Sequence, residues 1–553
     1  MLTLGVLDRA LLELGALAAI ACGALVVPRA PAHVLTSVLR WLGRQRARRT
    51  RAILACALLA AVASAAVAWL VHWPAPRVHD EFSYLLQADT FAHGRLANPA
   101  HPLWQHFESF HVVTHPYYVS KYPPGHGLVL AAGTAIGGHP LVGVWIEAAL
   151  FIGALAWMLV GWLPFRWALL GTLVVIARFG VASYWTQSYW GGSLAACGGA
   201  LVYGALPRLL ARHSARDAWL FGAGLFVLAC TRPFEGLIAS APACVILARE
   251  RWRSASAGGY ARELRRAAPL AASIAAIAAW TIAYDRATTG DPWTMPYWLH
   301  DRLYAVAPPF LWLPLAAEPV YQHALIREYW TGWALEPYRA CFTSRGFFAV
   351  NLEKLAELWK FYAGPLWSAP LLALPAVAST PLARVALYVC VAFVVAILGS
   401  TYTLAHYAAP VLGLLTVLTT LCVREIARVR VRGRPYGAAA VCGLLAATVA
   451  ALAFQIRGRV PAPGAWEEAR ARVQSELSAT AEPDLVIVRY GTGHSAHDEW
   501  VYNGADIDAA PVVWARDMGA AKNRALLDYF EGRRVWTCEV AGDGTPTLSA
   551  HAR

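Results

Sequence analysis

Long apolar runs separated by short polar segments dominate the chain. The runs 52–70, 140–162, 267–283 and 436–454 each approach the ~20 residues that cross a bilayer as a helix. Others lie at 193–212, 218–230, 237–248 and near 168–180, 362–380, 384–400 and 405–423. With 10–28 included, the pattern predicts about twelve transmembrane helices. A weaker stretch at 127–137 is expected to lie in the interface or re-enter, and 79–92 reads as a helix outside the bilayer. Beyond residue 455 the period changes. Residues 466–478 read as a helix, 484–489, 511–514 and 534–540 as strands, and 519–530 as a helix between the last two. The expected fold is therefore an all-α polytopic membrane domain over 1–455, followed by a small α/β domain over 456–553.

Charge fixes the orientation. Residues 40–51 carry Arg40, Arg44, Arg46, Arg48, Arg49 and Arg51, and 249–266 and 424–433 are similarly Arg-rich. Placing 40–51 inside puts the other two inside as well, as the positive-inside rule requires. Two long segments, 73–139 and 285–360, then lie outside, as does the 456–553 domain. The expected location is a bacterial inner membrane, crossed many times, with the C-terminal domain extracytoplasmic.

Composition supports the membrane reading. Of 553 residues 58% are hydrophobic and 15% charged, with mean hydropathy +0.44, against about 25% charged in an average soluble domain. The net charge of +13 sits in short loops, so no nucleic-acid partner is expected. There are ten cysteines and no CxxC pair, and eight cysteines lie in or beside apolar runs. Cys341 and Cys538 fall in outer segments and are the one pair open to a disulfide. No cleavable signal peptide is expected, because the first apolar run lacks a basic leader.

The polar motifs all fall on the outer side: HDEFSYLLQAD (79–89), SKYPPGHG (120–127), SYWTQSYWGGS (183–193), TRPFEG (231–236), YDRATTGDPWTMPYWLH (284–300) and HYAAP (406–410). Interfacial belts account for much of the Trp and Tyr, but not for adjacent acids directly after a span or a lysine beside two prolines. On a helix over 79–92, Asp80, Tyr84 and Gln87 share one face and Glu81 points about 100° away. Such a pair beside the membrane resists double ionisation and suits a general base, although acids at a helix N-terminus are also favoured by the dipole. Lys121, stiffened by Pro123 and Pro124, suits a lipid phosphate or is a snorkelling lysine. Arg232 is a second candidate anion contact, or pairs with Glu235. Eight of the 17 histidines lie between His79 and His139, with one HxxxH spacing (His111 and His115) and no HExxH. No cofactor is assigned, and a divalent metal is the alternative these histidines leave open.

The order of a span, an outer Asp-Glu, an aromatic-bearing helix and a Lys-x-Pro-Pro element resembles the C-type membrane glycosyltransferases. That group includes protein O-mannosyltransferases and the lipid A aminoarabinose transferase. HDEFSYLLQADTFAHGRLANP resembles the DE-containing first outer loop of that family, SKYPPGHG its Lys-Pro-Pro element and HYAAP its late His/Arg-Tyr element, over roughly 50–455. Tyr122 interrupts the usual Lys-Pro-Pro, and YGTGHSAHDEWVYN (490–503) matches no catalytic element. The resemblance implies inverting transfer of a sugar from a polyprenyl-phosphate donor in the bilayer to a hydroxyl of an envelope glycan, lipid or protein. It also implies the site: Asp80 as base with Glu81 beside it, Lys121, Arg232 and His406 for the donor phosphate, and Tyr84, Tyr122 and Tyr407 lining the substrate. A transporter or flippase for a lipid-linked or small polar solute is the alternative, and predicts charges within spans and two similar halves with broken helices. A non-catalytic scaffold, with the tail as a binding module, is the third reading.

Overall fold

The computed structural model describes residues 2–212, 214–255 and 260–551. It is a multi-pass membrane protein of mostly helical build. Helix α1 (Leu2–Val26) is followed by α2 (Arg29–Arg44), a 3-10 turn (Gln45–Arg48) and α3 (Arg49–Leu70). The arginine cluster expected in a loop is thus a helical corner: no proline interrupts it, and Arg is a good helix former. Helix α2 buries Leu35, Leu39 and Leu42 and leaves its arginines exposed. The bundle continues through α5 (Gly125–Gly137), α6 (Pro140–Trp162), α7 (Phe165–Val175), α8 (Ser193–Arg212), α9 (Ala215–Thr231), α10 (Pro233–Ser254) and α11 (Tyr260–Thr289). Helix α6 packs on α3, α5, α7 and α8 at its centre, burying Leu141, Val144, Phe151, Ile152 and Leu155.

Among the described residues, six helices are long and apolar enough to cross a membrane: Arg29–Leu70, Pro140–Trp162, Ser193–Arg212, Tyr260–Thr289, Ala405–Ala427 and Tyr436–Arg457. Several of the remaining expected crossings are shorter or broken, while the one at 237–248 lies in a 22-residue helix that is less apolar. The run near 362–380 splits into Gly364–Ser368, a 3-10 turn and Leu374–Val377, because Pro365, Pro370 and Pro375 each remove a helix donor. Segment 168–180 changes from α7 to a π-turn at Ile176–Gly180.

Polar elements sit between the spans. Helix α4 (His79–Ala92) lies against a small antiparallel sheet of β1 (Asn98–Pro99), β2 (Val112–Val113) and β3 (Tyr117–Ser120), ordered β1-β3-β2. The short helix α12 (Pro296–Tyr304) follows α11. The C-terminal unit contains β4 (Asp484–Tyr490), β5 (Val512–Arg516), β6 (Arg534–Val540) and β7 (Pro546–Ala550), ordered β5-β4-β6-β7. Strand β4 is parallel to both β5 and β6, and β7 is antiparallel to β6. The continuous apolar run Leu485–Val488 belongs to a central strand buried on both faces. One face packs on the helix Trp466–Ser478. The other meets α4, where Phe82 stacks on Tyr502 at 4.1 Å. Strand β7 has the sequence PTLSA, too polar and too short to read as a strand. Cys341 and Cys538 are both free and buried, so the disulfide left open by the sequence is not formed.

Candidate active site

The two adjacent acids of α4 have different surroundings. Glu81 turns away from Asp80. Its Oε2 accepts the N–H groups of Arg77 (2.7 Å) and Val78 (3.1 Å), which would otherwise be unpaired at the helix start. Its Oε1 accepts the Tyr189 N–H at 2.9 Å. Burial raises the Glu81 carboxyl above its ordinary range, and these bonds pull it back only in part. Its oxygens thus hold the backbone, tying α4 to the 183–193 loop.

Asp80 lies on the other face. Tyr122 donates its hydroxyl hydrogen bond to Asp80 Oδ1, and His111 Nδ1 lies 3.5 Å from Oδ2 and 3.0 Å from the Tyr122 oxygen. Burial pushes the Asp80 carboxyl up, but His111, the Lys121 ammonium and the Tyr122 hydroxyl together hold it below the usual carboxylate range. Every residue of the Asp80, Tyr84, Gln87 face engages Tyr122. Asp80 takes its hydroxyl, Tyr84 stacks on its ring at 4.6 Å, and Gln87 donates to its carbonyl at 2.8 Å. That is the i, i+4, i+7 stripe of one helix gripping a single residue of the Lys-Tyr-Pro-Pro element.

Lys121 is buried, with its ammonium beside three aromatic rings: Tyr297 at 5.1 Å, Tyr122 at 5.2 Å and Trp330 at 5.7 Å. Among the described residues its Nζ has no hydrogen-bond or ion-pair partner. Burial lowers the ammonium to about 8, with Asp301 and Asp80 opposing the shift. It therefore stays largely charged at neutral pH. Gly125, two residues after the Pro-Pro pair begins, holds this element against the end of α9. A Cβ there would lie 2.8 Å from the Cys230 carbonyl oxygen. The same contact draws Lys121 towards Arg232, which is among its electrostatic neighbours. The Arg232 guanidinium lies over the Tyr407 ring at 4.4 Å, rather than in an ion-pair contact with Glu235.

His406 is buried, its Nδ1 3.2 Å from the Tyr184 hydroxyl and its Nε2 without a hydrogen-bond partner. Its charged neighbours include Arg232 and Asp80. The 183–193 loop therefore links Glu81 through Tyr189 and His406 through Tyr184. A buried His126–Glu147 contact of 2.7 Å and a His126–Tyr189 carbonyl contact of 2.8 Å support that loop from below.

Several residues around Asp80 were not singled out from the sequence. His111 is one, set by β2–β3 pairing. His300 and Asp301 of α12 are others. Both ring nitrogens of His300 are buried without a hydrogen bond, and burial raises Asp301 to about 7 against the pull of Lys121. The motif 284–300 ends one residue short of Asp301, so the His-Asp pair was within reach of a slightly longer reading. From the C-terminal unit, Tyr502 bonds His79 Nδ1 at 2.8 Å and the His497 ring stacks on His79 at 5.9 Å. Among the described residues, no group of three or more His, Cys, Asp or Glu side chains is placed to hold a metal ion.

No family model matches the sequence, and no curated protein matches it. Among solved structures, the chain is similar to ArnT from Cupriavidus metallidurans bound to undecaprenyl phosphate, with TM-score 0.46 and 14% identity over 88% of this chain and 92% of that one. The apo state of ArnT gives TM-score 0.45 and 14% identity over 87% and 92%. The oligosaccharyltransferase AglB from Archaeoglobus fulgidus, in complex with an inhibitory peptide and a dolichol-phosphate, gives TM-score 0.37 and 12% identity over 88% and 69%. Each of these likenesses of fold extends over most of this chain.

Proposed function

We propose that this protein is a membrane glycosyltransferase. It moves a sugar from a polyprenyl-phosphate donor to a hydroxyl of an envelope glycan, lipid or protein, on the extracytoplasmic face of a bacterial inner membrane. The observation that carries the reading is a buried ammonium, Lys121, set among aromatic rings without a hydrogen-bond or ion-pair partner among the described residues, beside a carboxylate, Asp80, whose neighbours keep it ionised. A buried cation without a counter-ion is costly, and a phosphate arriving from the bilayer would relieve that cost.

In this scheme the lipid phosphate is already a competent leaving group, so a general acid is not obligatory. Asp80 Oδ2 takes the proton of the acceptor hydroxyl as the hydroxyl oxygen attacks the anomeric carbon. The bond from that carbon to the phosphate oxygen breaks, and the electron pair leaves with the phosphate. Lys121 and Arg232 stabilise the charge that develops there, and His406 Nε2 offers a further donor. Tyr84 and Tyr407 wall the chamber. In-line attack inverts the anomeric configuration. The 456–553 unit lies on the extracytoplasmic side of 1–455, packed on α4.

The test is sugar transfer by purified protein in lipid, with a panel of polyprenyl-phosphate sugars. The wild type should release lipid phosphate and form an inverted product, and Asp80→Asn should lose roughly 10²–10⁴ in rate. Full activity in Asp80→Asn would remove Asp80 as the base.

A further inference from the structure

The two oxygens of Asp80 differ: Oδ1 accepts a hydrogen bond, while Oδ2 lies 3.5 Å from His111 Nδ1. Oδ1 is taken by the Tyr122 hydroxyl, and that hydroxyl oxygen lies 3.0 Å from His111 Nδ1. One hydroxyl can donate once and still accept. A chain that runs in one direction therefore satisfies all three groups: His111 Nδ1–H to the Tyr122 oxygen, Tyr122 O–H to Asp80 Oδ1. We infer that Tyr122 and His111 are a positioning dyad that fixes Asp80 in one rotamer, with Oδ1 committed to Tyr122 and Oδ2 as the oxygen that meets the acceptor. This inference rests on the transferase reading of the same chamber and assigns two residues outside the reacting atoms.

The backbone is arranged to aim these two side chains. His111 sits at φ 60°, a left-handed conformation uncommon outside glycine, asparagine and aspartate. Such strain persists where the surroundings over-determine it. Here the His111 carbonyl accepts from Ser83 Oγ at 2.6 Å and from the Lys121 N–H at 3.3 Å. Ser83 also meets Ser120 Oγ at 2.7 Å, and Ser120 in turn accepts the Tyr122 N–H at 3.1 Å. Helix α4 thus holds both members of the dyad by their main chains. The arrangement also gives a reason for Tyr122 in the middle of the Lys-x-Pro-Pro element. The inserted tyrosine turns its hydroxyl to Asp80 while its neighbour Lys121 faces Tyr297 and Trp330.

Other charged and titratable groups face Asp80 as well. His79 and Glu81 flank it on α4, and Lys121 comes from the end of β3. His406 and the hydroxyls of Tyr84, Tyr329, Tyr407 and Tyr502 also lie near it, while His300 and Asp301 on α12 face Lys121, Arg232 lies beside Lys121, and His497 approaches His79 from the C-terminal unit. Tyr122→Phe changes none of these charges. A shift in the acid limb of the pH–rate profile in that variant would therefore report the lost hydrogen bond.

The decisive experiment compares Tyr122→Phe, His111→Asn and His111→Ala with wild type in the lipid transfer assay, as pH profiles of kcat and KM. A hydrogen bond to a charged group corresponds to about 10- to 150-fold. Tyr122→Phe should lose that much kcat with the donor KM unchanged, and its acid limb should move to higher pH. Asparagine tolerates φ near +60°, and its side-chain N–H falls where Nδ1–H was. His111→Asn should therefore retain most activity while His111→Ala does not. An unmoved acid limb in Tyr122→Phe, or His111→Asn as impaired as His111→Ala, overturns the dyad. A second readout does not depend on transfer. In pH-titrated infrared difference spectra, the protonated-carboxyl band that is missing in Asp80→Asn should titrate at higher pH in Tyr122→Phe than in wild type. Identical titration refutes the dyad. If wild type consumes no donor in the panel while this band shifts as expected, the transferase reading fails and the dyad stands.

Discussion

Two clusters of buried charge in this molecule are built on opposite plans. In the C-terminal sheet, Glu499 and Arg516 are both buried and fully engaged. Arg516 bonds Glu499, Tyr490 donates to Glu499, the Val501 N–H reaches Glu499 at 2.7 Å, and Arg516 Nε donates to the Glu108 carbonyl at 2.7 Å. In the chamber beside α4, several buried polar atoms lack a hydrogen bond: both nitrogens of His300, and Nε2 of His406 and of His79, while the Lys121 ammonium meets only aromatic rings. A satisfied network holds a fold together. Unsatisfied groups cost stability unless something binds them, which fits the proposed ligand chamber better than the structural network of the C-terminal sheet.

The largest expected contrast is between Asp80→Asn and Arg516→Met. The first should lose roughly 10²–10⁴ in transfer rate with unfolding unchanged. The second leaves Glu499 buried and unpaired, at a cost of about 3–5 kcal/mol. That cost should appear as faster hydrogen exchange at the β4 and β5 amides. Equal effects of both on stability would erase the distinction between the clusters.

Lys121→Met sharpens it next. Removal of an unpartnered buried charge should leave the melting temperature unchanged or raise it, while donor affinity falls about 10- to 150-fold for a lost charged hydrogen bond. A marked fall in melting temperature would place Lys121 with the structural cluster.

The smallest effect is in pH. The Lys121 ammonium titrates at about 8, so donor affinity should fall as pH rises through that value. Equilibrium binding of the lipid-phosphate donor across this range measures it, and Lys121→Met should flatten the dependence. The same shift has a defined sign in stability. Between about 8 and the ordinary lysine value, the folded chain has released a proton that the unfolded chain keeps, so the Lys121 contribution to stability increases with pH there.

Much of this was legible along the chain. The runs 140–162 and 193–212 are helices with those same ends, because an all-apolar run near 20 residues has few alternatives in a bilayer. The strand and helix order of 466–540 was readable from its change of period. The short broken helices of 362–380 were not, because apolar composition hides what the prolines do to the backbone. Within the chamber, the Asp80–Tyr84–Gln87 stripe followed from helical spacing. His111 could not be read in the same way, since its place depends on the register Val112↔Ser120 and on a φ that no local pattern signals.

What the sequence determined by itself is local: apolar length, helical faces, a stiff Lys-Tyr-Pro-Pro element, and acids at the start of α4. The division of labour between Asp80 and Glu81 was decided only in three dimensions. Adjacent acids on one helix are equivalent in sequence terms until a backbone N–H from Tyr189, 108 residues away, captures one of them. The pairing of His111 with Tyr122, the approach of α12 with His300 and Asp301, and the contact of Tyr502 with His79 are likewise products of packing. A polar atom finds its partner by proximity in space, and proximity between distant segments is fixed by how the apolar faces beneath them fit together.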